Sequence, residues 1–424
     1  MFPHELWAYG LLSYVNAAIG LGGAWMLIGD FADGRKRATA SVLLLLTPLY
    51  TFYAYKYNAN IIFLSIWPLT LHYFMQAIDK REWKDSIRFG VCVGLALMSK
   101  YYALILVASC FVAALQHPLG KRYLASASPY VSMLVAAAIC APHVWWLLTN
   151  RAPPLAYLAS RSGLGWGTLL SFATGTLLGG LEMNIAMILV VAVVARTSPR
   201  EWIASLARKW ADPRFRVLVI LALGPLVLTF ASAFLLRTRI YPEMLLAAFP
   251  LMPLLTIEIA GVKNIDVLWR VASRLAAGLT LGAVVLSPVI AVAREYLSAN
   301  AMDVAPHKEI AIEATRLWHD RTGLPLAYVG GTNWYEQTIS FYSPDHPHAF
   351  INFDFTRSLW VTPEALAEHG LLAICVKDDS DCLASTARFA TPLSTQTEVS
   401  MAHAAWGHTG KTYHFILTII PPRT

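Results

Sequence analysis

Charge is scarce in this chain. Asp, Glu, Lys and Arg make up 14% of its 424 residues, where a soluble protein carries roughly 25%. Hydrophobic residues reach 57% and mean hydropathy is +0.51, an excess that needs lipid as solvent. The signatures of soluble enzymes are missing: there is no Gly-x-x-x-x-Gly-Lys-Ser/Thr phosphate loop, no Gly-x-Ser-x-Gly elbow and no His-Glu-x-x-His zinc motif. ATP-driven transport and zinc proteolysis are thereby disfavoured. Met1 to Glu5 carries no Lys or Arg and runs straight into Leu6, so nothing resembles a removed signal peptide. Cysteine is sparse too, and of the five only Cys375 and Cys382 lie outside the apolar part.

What is present is a series of apolar runs, recurring to about residue 293 and long enough to cross a hydrocarbon core of roughly 30 Å. They predict a mainly α, polytopic transmembrane helix bundle with about ten spans, near 5–28, 39–54, 59–78, 88–99, 101–117, 123–148, 168–195, 216–236, 240–260 and 271–293. Alternate connections are basic: Arg35 to Arg37, Lys80 to Arg88, Lys121 and Arg122, Arg196 to Arg216, and Lys263 to Arg274 hold eighteen Lys and Arg. The intervening ones hold only Lys56, Lys100, Arg151, Arg161, Arg237 and Arg239. The positive-inside rule places the eighteen in the cytoplasm and both the N-terminus and the C-terminal domain outside. The net charge of +7 thus reflects membrane sidedness and implies no nucleic-acid partner. Lys100-Tyr101-Tyr102 interrupts an apolar stretch from Val91 to Leu115, and the basic flanks on both sides favour two helices meeting there at the outer surface.

Residues 1–293 therefore read as one membrane domain and 294–424 as a small soluble α/β or α+β domain. In the latter, polar-apolar patterning predicts a helix at 307–322 and strands near 326–329, 371–376 and 413–420. If this domain is exported, a disulfide between Cys375 and Cys382 is chemically permitted, two free thiols being the alternative.

The sparse outer connections carry the functional signal. Lys56 in Tyr55-Lys56-Tyr57-Asn58-Ala59-Asn60, Lys100 before Tyr101, and Arg237 and Arg239 before Tyr241-Pro242-Glu243 are cations set against the prevailing rule. With Asn58, Asn60 and the tyrosines at the same depth, they suit a phosphate or diphosphate head group while helices hold its lipid tail. The plainer alternative is that each cation snorkels to the headgroup region. Glu182 after Gly179-Gly180 is an intramembrane carboxylate, a candidate site residue or a hydrogen-bond partner for another helix. Asp30, Asp33, Asp79 and Asp85 read as solvated charge on the cytoplasmic side. Asn333-Trp334-Tyr335 can line a sugar site, although packing is the commoner use of aromatics.

Tyr55 to Leu106, with Tyr-Lys-Tyr-Asn-Ala-Asn, Trp83 and Gly94-Leu95-Ala96-Leu97-Met98-Ser99-Lys100-Tyr101, resembles the GT-C membrane glycosyltransferases of the family 39 type. That group includes protein O-mannosyltransferases and aminoarabinose-lipid A transferases. Arg237 to Pro242 resembles the later basic-Tyr-Pro element. The resemblance implies transfer of a sugar from a polyprenyl phosphate to a lipid, glycan or protein acceptor outside a bacterial inner membrane, with a divalent metal as a conceivable helper. It implies donor-phosphate roles for Lys56, Lys100, Arg237, Arg239, Tyr101 and Tyr241. The family's essential acid belongs to a long first outer loop, and nothing before Glu5 corresponds to it. Met1 is accordingly expected to be an internal start, with one helix and that loop missing, and Glu5, Glu182 and Glu243 remain as candidate acids. A flippase for lipid-linked saccharides is the competing class, but it should show internal repeats, and a non-catalytic membrane scaffold is the third.

Overall fold

A computed structural model describes residues 6–51, 54, 57–149, 162–297, 306–405 and 408–423. By contacts the chain forms two compact units that part at Gly282/Ala283. The first is helical: α1 (Leu6–Gly29), α2 (Gly34–Leu43), α3 (Phe63–Lys80), α4 (Trp83–Ser99), α5 (Ala103–Gln116), α6 (Gly120–Leu124), α7 (Ser128–Thr149), α8 (Trp166–Ala195), α9 (Pro199–Lys209), α10 (Pro213–Leu236), α11 (Met252–Ala260) and the start of α12 (Ile265–Leu297). Five of these, α1, α7, α8, α10 and α12, are long and apolar enough to cross a membrane.

Contacts along the helices give the bundle two ends. Tyr9 bonds to Tyr57, Asn16 to Ile61, and Asp30 to His72 and Gln76, so α1 and α3 run parallel. The intervening chain must therefore travel back the length of α1. It does so without the single helix expected at 39–54: α2 stops at Leu43 and short 3-10 turns follow at 44–46 and 48–50. Thr47 is held extended at φ −91° and ψ 138°, as the residue before a proline prefers. Leu43, Leu44, Thr47 and Leu49 are fully buried, so the interrupted backbone is shielded by protein, the condition under which non-helical chain survives at membrane depth. The span expected at 240–260 is interrupted in the same way, a 3-10 segment at Pro242–Ala248 preceding the nine-residue α11.

The pair of helices expected around Lys100 is present. α4 and α7 run parallel, Ser86 bonding to Ser128 and Tyr101 to His143. α5 returns, its far end bringing His117 to 3.4 Å from Asp79. At this basic end Lys36 and Lys209 both donate to Glu258, joining α2, α9 and α11. The Asp residues here are not all solvated loop charges as expected. Asp85 is 4% exposed and pairs with Arg88, and Asp30 is enclosed by His72 and Gln76, because helix ends pack over them.

The second unit carries α13 (His307–Thr322), β1 (Tyr328–Gly331), α14 (Tyr335–Tyr342), β2 (His348–Ile351), α15 (Pro363–His369), β3 (Leu371–Val376), α16 (Ser380–Ala387), β4 (Thr395–Ala405) and β5 (His408–Ile420). The sheet order is β2-β1-β3-β5-β4, with β2, β1 and β3 parallel and the β4–β5 hairpin antiparallel. Alternation along β3 sends Leu372 and Ile374 into one core with Ile310, Trp318 and Ile339, and Leu371, Ala373 and Cys375 into the other with Phe350 and Leu366. Both faces are covered, as a strand with a period of two and no polar face requires. Cys375 and Cys382 form a disulfide between β3 and α16.

Candidate functional site

Three segments supply the site, all at the end of the bundle remote from Glu258. In the turn before α3, the Asn58 carboxamide oxygen accepts the N–H groups of Asn60 at 2.8 Å and Ile61 at 3.1 Å. These donors would otherwise be orphaned at a helix start. Tyr9 fastens the turn to α1, its hydroxyl accepting from the Tyr57 N–H and donating to the Tyr57 carbonyl.

Asn60 so held presents its oxygen to Lys100, whose Nζ donates at 2.5 Å. Lys100 ends α4 in an extended conformation, φ −166° and ψ 138°, and is half-buried. An ammonium carries three donors, so two are left for a ligand. Its Nζ lies 6.0 Å from the centre of the Tyr102 ring. That ring stacks on fully buried Trp67, 6.0 Å centre to centre at 28°, and its hydroxyl bonds to Thr229. Burial lowers the Lys100 pKa from its ordinary value, and the charge of Glu243 works against that shift. Glu243 is exposed at the start of the 3-10 segment, and among the described residues it has no hydrogen bond or ion pair.

The third segment follows α10. Arg237 caps that helix at φ 49° and is committed to structure. Its carbonyl accepts from Leu164 N at 2.9 Å, its Nε donates to the Leu164 carbonyl at 2.7 Å, and its guanidinium sits 5.4 Å from the Trp166 ring. Arg239 lies 5.1 Å from the Phe172 ring, which meets Tyr241 edge-on, and it makes no ion pair among the described residues. The segment from Pro242 approaches α8 closely because Gly179 and Gly180 lack side chains: a Cβ on Gly179 would lie 2.7 Å from the Pro242 ring.

The structure thus joins Lys100 with Asn60 and, through it, the Asn58 turn, leaves Glu243 within electrostatic range, and sets Arg239 beside Tyr241. It does not join Tyr101 to this group, since the Tyr101 hydroxyl bonds to His143 Nε2 at 2.6 Å and His143 stacks on Trp146. Glu182 is exposed on α8 and, among the described residues, bonds to nothing. Lys56 and Glu5 lie outside the described residues. The sequence reading named Tyr102 only as part of the interruption after Lys100, and Thr229 and His143 escaped it, although both are polar residues inside apolar runs, shortly after Pro225 and Pro142. Among the described residues no three His, Cys, Asp or Glu converge as a metal site.

The profile of the dolichyl-phosphate-mannose-protein mannosyltransferase family matches residues 1–146. The chain superposes on ArnT from Cupriavidus metallidurans, solved bound to undecaprenyl phosphate, with a TM-score of 0.57 and 15% identity over 97% of this chain and 84% of that one. The chain has the GT-C glycosyltransferase fold. The apo state of the same ArnT gives a TM-score of 0.53, also at 15% identity, over 97% of this chain and 83% of that one. No curated protein matches by sequence. The family profile covers the N-terminal third of the chain and the superposition extends the shared fold over nearly all of it, the fold of the superfamily that the motifs around Lys100 resemble.

Proposed function

We propose that this protein transfers a sugar from a polyprenyl-phosphate donor to an acceptor at the outer face of a bacterial inner membrane. The observation that carries the reading is a half-buried ammonium, Lys100, held by one hydrogen bond to Asn60 and within electrostatic reach of Glu243, a carboxylate without an ion pair among the described residues. Transfer breaks the bond between the anomeric carbon and the phosphate oxygen and forms one to the acceptor oxygen. The bonding pair leaves with the lipid phosphate, whose growing charge Lys100 and Arg239 would stabilise in a site of low polarity. The acceptor hydroxyl loses its proton to a base within hydrogen-bond reach, and Glu243 is the described carboxylate best suited, being unpaired and near Lys100. Arg237 would position the segment that carries Arg239 rather than touch the donor. The undecaprenyl phosphate bound to the solved ArnT is consistent with the donor class.

The test is transfer of radiolabelled sugar from a polyprenyl-phosphate donor in membranes holding this chain, its Lys100→Ala variant or its Glu243→Gln variant. The first substitution is expected to weaken donor use, and the second to lower turnover with donor affinity kept. Equal transfer by all three would refute these roles, and no transfer by a well-inserted wild type would refute the enzyme.

A further inference from the structure

In an open α/β sheet a crevice forms outside the carboxyl ends of two neighbouring parallel strands when the connections after them leave in opposite directions. The second unit has such a point. From β1 the chain passes through α14 to β2 on one side, and from β3 it passes through α16 to β4 and β5 on the other. β1 and β3 are paired neighbours, and α14 and α16 pack into the two different cores. Just beyond these strand ends lies a cleft of about 600 Å³, lined by Asn333 and Tyr335 after β1, Asp378 and Ser380 after β3, and Tyr413 and His414 of β5.

The turn residues divide their work. Asp379 is occupied in holding the cleft together, accepting from the side chains of Thr332 and Asn333 and from the Cys382 N–H at the start of α16. Asp378 and Ser380 are exposed, line the same cleft and make no hydrogen bond among the described residues. Asn333 and Trp334 both have positive φ, 56° and 71°, a conformation costly for a residue with a side chain and concentrated at binding sites. Its outcome is that Trp334, set between two lining residues, is 64% exposed.

Aromatic rings beside unused carboxylate and hydroxyl oxygens match a ligand with flat C–H faces and a rim of hydroxyls. For a nucleotide or other phosphate the charge of Asp378 and Asp379 outweighs that of Lys411, which lines the cleft too, and no Gly-x-Gly-x-x-Gly turn follows β1. We infer that this cleft binds a saccharide ring, packed on the exposed indole of Trp334 between the lining residues Asn333 and Tyr335, with its hydroxyls on Asp378 and Ser380; the Tyr413 ring is already covered by the Lys411 ammonium at 5.8 Å. Its role, holding a glycan acceptor, rests on the transferase reading, whereas the binding itself does not.

The test uses the full chain in a sugar-free detergent and saturation-transfer NMR with methyl α-mannoside, methyl β-glucoside and N-acetylglucosamine, beside AMP as an anionic probe. At least one sugar is expected to bind and AMP is not. Trp334→Ala and Asp378→Asn, at exposed side chains, should each weaken sugar binding about fivefold or more, and Lys100→Ala should leave it unchanged. Absence of binding by all three sugars, displacement of a bound sugar by AMP, or unchanged affinity in both cleft variants overturns the proposal. Failure of label transfer by a wild type that still binds sugar would remove the transferase reading and leave the cleft assignment standing.

Discussion

Three glycines of α8, Gly175, Gly179 and Gly180, allow the approach of the Pro242–Ala248 segment to be measured by mutation. Gly175 has nothing within 4 Å of an added Cβ, so Gly175→Ala reports only helix propensity, a gain of about 0.8–1.0 kcal/mol. At Gly180 the nearest atom would be the end of the Leu245 side chain at 2.9 Å. A leucine can change rotamer, and the propensity gain should roughly offset the cost. At Gly179 the Cβ would meet two ring carbons of Pro242 at 2.7 and 2.8 Å. Carbon contacts settle at ~3.5–4.0 Å, and a proline ring has no rotamer to escape into, so the backbone at Pro242 must move by about 1 Å. Overpacking of this kind costs about 1–3 kcal/mol. Glu243 moves with Pro242, and a misplacement of about 1 Å at a reacting group costs about 100-fold in rate. Gly179→Ala should therefore lower thermal stability in detergent and cut kcat/KM for labelled-sugar transfer by one to two orders of magnitude, while Gly175→Ala and Gly180→Ala retain near-native transfer. A Gly179→Ala enzyme that matches Gly175→Ala in both stability and rate would refute the packing argument and, with it, the placement of Glu243 in the site.

Two further outcomes follow from titratable groups. Burial lowers the Lys100 pKa below the ordinary lysine value of 10.5, so the ammonium is lost, and donor affinity falls, at a pH below that value. Lys100→Arg, which stays charged, should bind the donor less well at neutral pH but lose the alkaline decline, and an unchanged alkaline limb in that variant would exclude Lys100 as the titrating group. In the second unit Glu336 is 1% exposed, one of its oxygens has no hydrogen-bond partner among the described residues, and burial raises its pKa above the usual 4.5. A carboxyl raised on folding contributes fully at pH below its unfolded value and loses that contribution as pH rises through the folded value. Local protection from hydrogen exchange in α14, corrected for intrinsic rates, should fall as pH rises above 4.5, and Glu336→Gln should flatten the trend; an identical slope in the variant would count against it.

What the sequence reading captured and what it missed have the same cause. α13 at His307–Thr322 and β3 at Leu371–Val376 match the predicted bounds because each carries its own periodicity and a glycine beyond or before it. The runs 39–54 and 240–260 are equally apolar but form no single helix, because hydropathy reports burial and not period. Thr47-Pro48 and Pro242 were visible as breakers, yet whether a break is tolerated depends on neighbours that only the folded bundle supplies. Lys100 was identified as an anomalous cation from its place on the sparse side. Its partner Asn60, forty positions away, and the electrostatic reach of Glu243 depend on how three separate segments converge, which no local pattern encodes.

The two interrupted crossings are where the site's polar groups come from. A continuous helix satisfies its own backbone and turns residues outward on all sides, so a polar side chain at membrane depth faces either lipid or a neighbouring helix. The chain before α3 instead arrives at Asn58 as a turn, with free N–H groups that the Asn58 side chain collects and with Asn60 displaced toward Lys100. The chain after α10 leaves as Arg237 at positive φ and then as a 3-10 segment that begins Pro242-Glu243. Each break exchanges regular hydrogen bonding for a change of direction, and both occur at the end where Lys100 stands. The break at Pro242 to Ala248 is thus the price of a polar corner among apolar helices, which is why restoring helix there, by Pro242→Ala, is expected to damage the site more than the bundle.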